Sequence, residues 1–237
     1  MSESFDEKRP QPEISPGGSV IHRYPNSGWN RSRVGFADES AARFAEKRNE
    51  AYARLFGQIH DVSMEPLPLV PRVDVHTYFR TGANGARVCT LATAGMGDLA
   101  MNVPAGADVP RRVELIFYCS EPSAEYMETL RWLAHFPHDQ KTWIGSGHTV
   151  PNGNPPVPFW GSSVLDTILL LPSVVKRDRT LAEELTLGGD PVDFLWVVPL
   201  TSAECNLKLK KGTDAILDLF QKNRHPHVFD RNRLSYV

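Results

Sequence analysis

Two closely spaced histidine pairs are the residues that could bind a metal in this chain. His135 is followed by His138, and His225 by His227. Pro137 is predicted to break the helix between the first two, and neither pair has a third ligand nearby in sequence. Because a protein metal site needs three or four converging ligands, the sequence predicts no metal site and no other cofactor. The alternative for these side chains is a solvated place on the surface.

A glycine-rich segment contains a histidine of the type that serves as a general base. His148 lies in the sequence GSGHT, residues 145–149, which resembles a phosphate-binding loop but lacks its GK[ST] ending. The spacing places no acid or nucleophile beside His148, and the chain contains no GxSxG nucleophile elbow. The sequence therefore predicts no catalytic residue. The alternative is an enzyme whose site is assembled from distant residues, His76, Asp98 and His148.

Glu114 lies inside an apolar run that is typical of a strand. Its carboxylate is expected either at a sheet edge or in an ion pair with a base such as Arg112, because unpaired acids are rarely buried. An acid that anchors a partner and an acid in a structural ion pair are both open at this point.

The turn between two predicted strands is the first candidate for a partner-binding surface. It reads TAGMGD, residues 93–98, and is followed by MNVP, residues 101–104. Its glycines permit a sharp turn, and its methionines are predicted to fold back under it as apolar plugs. Asp98 and Asn102 would then face a partner. The alternative is an ordinary tight connection within a sheet.

Three aromatic residues frame a second loop, which is rich in glycine and proline. Aromatic side chains on surface loops are typical binding anchors, although they also cover the end of a core. The candidate partner-binding residues of both loops are Met96, Asp98, Met101, Asn102, Trp143, Phe159 and Trp160.

The composition excludes several classes of function. The net charge of the 237 residues is −2, whereas a nucleic-acid-binding protein needs a basic face. No apolar run approaches the roughly 18 residues of a membrane span, and the first residues lack the apolar core of a signal peptide. The three cysteines are widely spaced, and two of them lie in apolar runs, which favours free thiols in a reducing cytoplasm.

The elements that must position these residues follow from periodicity and turn signals. A helix is predicted from Asp38, and the alternating residues 73–79 pair with residues 88–92 in a hairpin. A strand at 113–119, a helix from Pro122 to Pro137, and strands at 164–171 and 192–198 follow. Thr201 and Glu204 fit a capping box that begins a helix, and a second helix starts near Thr213.

These elements predict an α+β fold in which a mixed β-sheet is flanked by α-helices. The predicted domain covers residues 38–222. Residues 1–37 form a flexible or partly pinned leader, whose aromatic residues Tyr24, Trp29 and Phe36 could hold it to the domain, and residues 223–237 form a C-terminal tail.

The order of several motifs resembles the suppressor of fused domain family over about residues 50–222. The motifs are TLATAGMGD at 90–98, RVELI at 112–116, LLLP at 169–172, DFLWVVPLTSAE at 193–204 and KGTD at 211–214. The resemblance implies a mixed sheet flanked by helices and a non-enzymatic role in protein binding. The animal member is a two-lobed cytoplasmic regulator that holds a transcription factor of the Hedgehog pathway, and this chain resembles its amino-terminal lobe.

Stand-alone domains that resemble this one are bacterial, and some are proposed as immunity proteins that neutralise toxins. The resemblance therefore implies a cytoplasmic protein-binding module, either an immunity protein or another regulatory binding protein. Its partner would be another protein, not nucleic acid or a membrane. A homo-oligomer that pairs through an exposed sheet edge is the remaining alternative.

Overall fold

The computed structural model describes residues 13–24, 33–35, 39–82, 85–162, 164–179 and 184–237. In chain order its elements are β1 (Glu13–Ile14), β2 (Val20–Ile21), α1 (Glu39–Phe56), β3 (Asp61–Ser63), β4 (Asp74–Thr81), β5 (Arg87–Ala94), β6 (Arg112–Cys119), α2 (Ala124–Asp139), β7 (Thr149–Pro151), β8 (Leu165–Pro172), α3 (Lys176–Arg179), β9 (Thr186–Leu187), β10 (Asp190–Thr201), α4 (Ser202–Lys211) and α5 (Thr213–Lys222).

An eight-stranded sheet organises the described residues, with the order β3-β4-β5-β6-β10-β8-β7 and with β9 on β10. Within the series β3-β4-β5-β6 each strand runs antiparallel to the next, which confirms the predicted hairpin of β4 and β5. Its turn includes Ala83 and Asn84, which lie outside the described residues. β10 runs parallel to β6 and antiparallel to β8. The sheet is therefore mixed, and the predicted α+β fold class is confirmed.

Successive strand residues point to opposite faces of the sheet, and both faces of this sheet carry apolar side chains. Helices cover each of them. On one face α2 buries Leu130 and Leu133 against side chains such as Leu115 and Val197. On the other face α1 buries Tyr52 and the helices α4 and α5 add Leu207 and Ile216. Each face thus has its own hydrophobic core.

The helix α2 continues past Pro137, where it was predicted to end. Pro137 lies inside the last turn of the helix, which runs to Asp139. A proline there removes one helical hydrogen bond, but the backbone N–H of Thr142 donates to the Pro137 carbonyl at 2.8 Å and closes the end. The prediction that Pro137 separates His135 from His138 is wrong, since both lie on this helix.

Both ends of the described chain pack on α4. The hairpin of β1 and β2 docks through Gly17, whose N–H donates to the Leu209 carbonyl at 2.8 Å. Residues 223–237, called the tail below, return across the sheet to α4. The expectations for Trp29, Phe36 and the helix start at Asp38 concern residues outside the described ranges, and the domain boundaries stay a prediction.

The described helices include none long and apolar enough to cross a membrane.

Candidate partner-binding site

A buried carboxylate holds the turn that follows β5. Glu114, which is fully buried, accepts hydrogen bonds from the Gly95 N–H at 2.9 Å, the Gly97 N–H at 3.1 Å and the Thr93 hydroxyl at 2.6 Å. Gly95 has a φ of 128°, and a Cβ at this position would lie 1.9 Å from the Arg72 carbonyl oxygen. The glycine is therefore required both by the conformation and by the space.

The position of Glu114 differs from both sequence expectations. It lies on β6, which pairs with β5 on one side and β10 on the other, so it is not at a sheet edge. Arg112 pairs with Asp190 instead, at 3.2 Å, and also donates to the carbonyls of Gly97 and Asp98 at 2.7 and 2.9 Å. The expected pair of Glu114 and Arg112 is thus wrong, because backbone amides already satisfy the carboxylate and the arginine reaches the outside of the turn.

The guanidinium of Arg48 supplies positive charge to this network from α1. It donates to the carboxylate of Asp98, and Asp98 itself is mostly shielded from solvent. Burial raises the pKa of Glu114 to about 7, against the opposing pull of Arg48 and of its hydrogen bonds. Burial likewise raises the pKa of Asp98, while Arg48 lowers it. Asp98 is therefore engaged inside the protein and does not offer a free carboxylate to a partner.

The predicted methionine plugs lie under the turn. Met96 is 1% exposed and Met101 is 4% exposed, so their side chains belong to the core. Leu99, at 43% exposure, and Asn102 remain on the surface. The accessible part of this region is therefore the outer face of the turn.

The structure brings Asn102 next to the loop that contains Trp143. The Asn102 N–H donates to the Thr142 carbonyl at 3.1 Å, and its side-chain amide donates to the Lys141 carbonyl at 3.2 Å. Trp143 is half-buried and lies against the ring of His148, with 4.4 Å between the centroids. Leu99, Asn102, Lys141 and Trp143 together are called the turn surface below.

Phe159 and Trp160 lie elsewhere, at the other end of α2. They are 5% and 7% exposed. The indole N–H of Trp160 donates to the Thr129 hydroxyl at 2.8 Å, and its ring packs within 5.0 Å of the rings of Tyr126 and Phe229. These side chains cover the end of a core, which was the alternative for them. Sequence reasoning missed Phe229, although an aromatic residue in a polar tail was a usable signal.

The two histidines of the enzyme alternative lie near opposite edges of the sheet, and Asp98 is paired with Arg48 in the turn after β5. His76 is on β4, where its Nδ1 lies 3.1 Å from the Tyr78 hydroxyl, and His148 directly precedes β7. β4 and β7 are five strand positions apart, or about 24 Å at roughly 4.8 Å per position. Burial lowers the pKa of each histidine to about 4. The geometry therefore does not assemble these two imidazoles into one site.

His135 and His138, the first closely spaced pair, are engaged in hydrogen bonds, and in the second pair His225 lies 3.0 Å from the Tyr236 hydroxyl. His135 lies 2.7 Å from a Glu65 oxygen and 2.6 Å from an Arg33 nitrogen, and His138 lies 3.3 Å from the Met96 carbonyl. Across the part of the chain that the structure describes, no three His, Cys, Asp or Glu side chains come together as a group that could hold a metal.

A model of the suppressor of fused protein family matches residues 70–234 of this sequence. The chain belongs to the suppressor of fused family. A search of curated protein sequences found no match.

Solved structures of suppressor of fused proteins share the fold at low sequence identity. A protein described as a suppressor of fused homologue from Neisseria gonorrhoeae is 16% identical, with a TM-score of 0.63 over 83% of this chain and 98% of that chain. The Sufu–Fu complex matches at 13% identity and a TM-score of 0.56, over 83% of this chain and 92% of that chain. Drosophila Suppressor of Fused matches at 12% identity and a TM-score of 0.56, over 88% of this chain and 54% of that chain.

Proposed function

We propose that this member of the suppressor of fused family is a non-enzymatic module that binds another protein through the turn surface. The observation that carries the proposal is a turn fixed from within while Leu99 and Asn102 stay exposed. The carboxylate of Glu114 accepts hydrogen bonds from the backbone N–H groups of the turn, and Arg112 donates to the backbone carbonyls of the turn. A loop held in one conformation loses little entropy on binding, which increases affinity.

The candidate residues have different roles in this proposal. Asn102 and Trp143 contact the partner, while Met96, Met101 and Asp98 keep the turn in shape from below. Phe159 and Trp160 support a different part of the surface. A standard interface covers roughly 800 Å² on each partner, so the contact would extend beyond the turn surface to its neighbours.

Two observations support a binding role over catalysis. The buried acids Glu114 and Glu204 have their oxygens engaged by backbone amides and neighbouring side chains, whereas a catalytic group has to face its substrate. One matched structure is a complex of Sufu with Fu. A related fold in a complex supports the same kind of role for this chain.

The proposed partner is a protein toxin, which would make this chain an immunity protein in a bacterial cytoplasm. The fold is shared with a suppressor of fused homologue from the bacterium Neisseria gonorrhoeae over 98% of that chain, which supports a bacterial role. Cys89 and Cys119 are free and buried, in keeping with a reducing compartment. Another regulatory protein is the alternative partner. Co-expression with a toxin encoded beside this gene tests the proposal, and failure to restore growth would exclude that toxin.

Capture of the partner from an extract of the source organism tests the turn surface. Leu99→Asp is expected to reduce recovery at least tenfold, because it places a charge in the contact. Leu217→Asp on α5 is the matched control, since Leu99 and Leu217 are both 43% exposed. If both variants recover the partner as well as the original chain does, the turn surface is not the site. Light scattering decides whether the partner is a second copy of the chain.

A further inference from the structure

A second open surface lies at the other end of α2. The turn surface adjoins the last turn of this helix, where His138 contacts the Met96 carbonyl. Near the first turn, a groove of about 630 Å³ lies between residues 119–126 and residues 226–232 of the tail. The helix has 16 residues and is about 24 Å long, so the groove is separate from the proposed site.

The tail forms a fixed wall of this groove. The Phe229 N–H donates to the Tyr118 carbonyl at 2.8 Å, beyond the last residue of β6 that pairs with β10. Arg233 then holds the tail to Glu204 through two hydrogen bonds of 2.6 and 2.8 Å. A wall that is held on both sides of residues 230–232 is already in place before anything binds, which reduces the entropic cost of binding.

The floor and the rim of the groove differ in character. Pro122, Val228 and Phe229, which are partly exposed, contribute apolar surface to the lining. At the rim, the carboxylates of Glu121 and Asp230 are exposed and have no ion-pair partner among the described residues.

Arg231 is the cation among the lining residues, and it lies beside a third carboxylate, that of Glu125. Its guanidinium lies 3.9 Å from Glu125 and 3.3 Å from the Tyr126 hydroxyl. An acid in the first turn of a helix stabilises the helix. This explains the presence of Glu125, but Asp230 lies on the tail and has no such role. The rim therefore keeps an excess of negative charge above an apolar floor.

We infer that this groove binds an extended segment of a partner protein in which lysine or arginine alternates with apolar residues. Alternation matches the site, because successive side chains of an extended segment point in opposite directions. Apolar side chains would cover Phe229 and Val228, and cationic ones would reach Glu121 and Asp230.

Fluorescence polarisation with a labelled six-residue peptide of alternating lysine and leucine tests this inference. Glu121→Lys is expected to weaken binding about fivefold to tenfold, since it reverses one rim charge. Glu50→Lys on α1 makes the same change of net charge on the opposite face of the sheet, and it should change the affinity less than twofold. A peptide with glutamate in place of lysine should not bind.

Three results would overturn the inference: equal effects of Glu121→Lys and Glu50→Lys, equal binding of the glutamate peptide, or a dimer of the chain that Glu121→Lys dissociates. The last would mean that the groove takes a second copy. Leu99→Asp should leave peptide binding unchanged, so the groove and the turn surface can fail independently.

Discussion

The ion pair of Arg233 with Glu204 is expected to be a major determinant of stability. Arg233 is 8% exposed and Glu204 is fully buried. Replacing Arg233 by leucine leaves the carboxylate buried without its counter-charge, and removing one partner of a buried pair costs about 3–5 kcal/mol. For a chain of this length, where 1 kcal/mol corresponds to about 2–4 °C, the melting temperature should fall by on the order of 10 °C.

The contacts that are lost account for this magnitude. The guanidinium of Arg233 donates to both oxygens of Glu204, at 2.6 and 2.8 Å, and to the Pro199 carbonyl at 2.9 Å. Hydrogen bonds to charged groups contribute about 1.5–3 kcal/mol each, and they are not additive. Glu204 keeps its bonds from the N–H groups of Thr201 and Tyr236, at 2.9 and 3.0 Å. The carboxylate would thus lose part of its stabilisation.

Urea unfolding followed by circular dichroism measures the effect, with Arg231→Leu as the matched control. The two arginines are two residues apart, but the Arg231 side chain is 46% exposed and its ion pair spans 3.9 Å, so its loss should leave the urea midpoint almost unchanged. Adding Glu204→Gln to Arg233→Leu should recover about 1–2 kcal/mol, because the amide carries no buried charge. Equal losses from the two single variants would refute the reasoning.

Further predictions concern the turn and the aromatic cluster. The pKa of Glu114 is raised from its ordinary value near 4.5 to about 7 in the folded state, so the folded state binds the extra proton. The protonated carboxyl of Glu114 therefore stabilises the folded state fully below pH 4.5, and this stabilisation, about 3 kcal/mol, is lost as the pH rises through 7. In urea unfolding between pH 4.5 and 8, Glu114→Gln should remove this fall in the free energy of unfolding. An unchanged pH dependence would contradict the prediction. Gly95→Ala should cost more than about 3 kcal/mol in the same assay, because its Cβ meets backbone and its φ is positive. Gly106→Ala, with a φ of +77° and open space around it, should cost only about 1 kcal/mol; equal costs would count against the packing argument. Trp160→Phe, which loses the 2.8 Å bond to Thr129, should cost about 1–2 kcal/mol in thermal unfolding, and no change would mean that the bond contributes nothing.

Local sequence signals predicted the elements because their causes are local. The alternation of residues 73–79 produced β4, and Thr201 with Glu204 formed the predicted capping box, with bonds of 2.9 and 3.2 Å. The glycines of residues 93–98 likewise predicted the turn after β5. In each case the residues that determine the structure are close in sequence.

Contacts between distant residues could not be predicted in this way. Arg233 pairs with a residue 29 positions earlier, and the tail sequence gives no sign of it. Glu114 was expected beside Arg112 because the two are close in sequence, but strand geometry places its oxygens against the turn amides. The sequence did predict Met96 and Met101 as plugs under the turn, and both are buried, but it missed Leu99, which lies on the outside.

The distance along the chain between Glu204 and Arg233 has a consequence for synthesis of the protein. Ribosomes add about 5–20 residues per second, so the 29 positions between the two residues correspond to about 1.5–6 s. During that interval a nascent chain contains the acid of α4 but not its guanidinium. Phe229, which lies between the acid and the arginine in sequence, packs on Phe117 and Trp160, so these side chains lack that aromatic cover until the tail has been made.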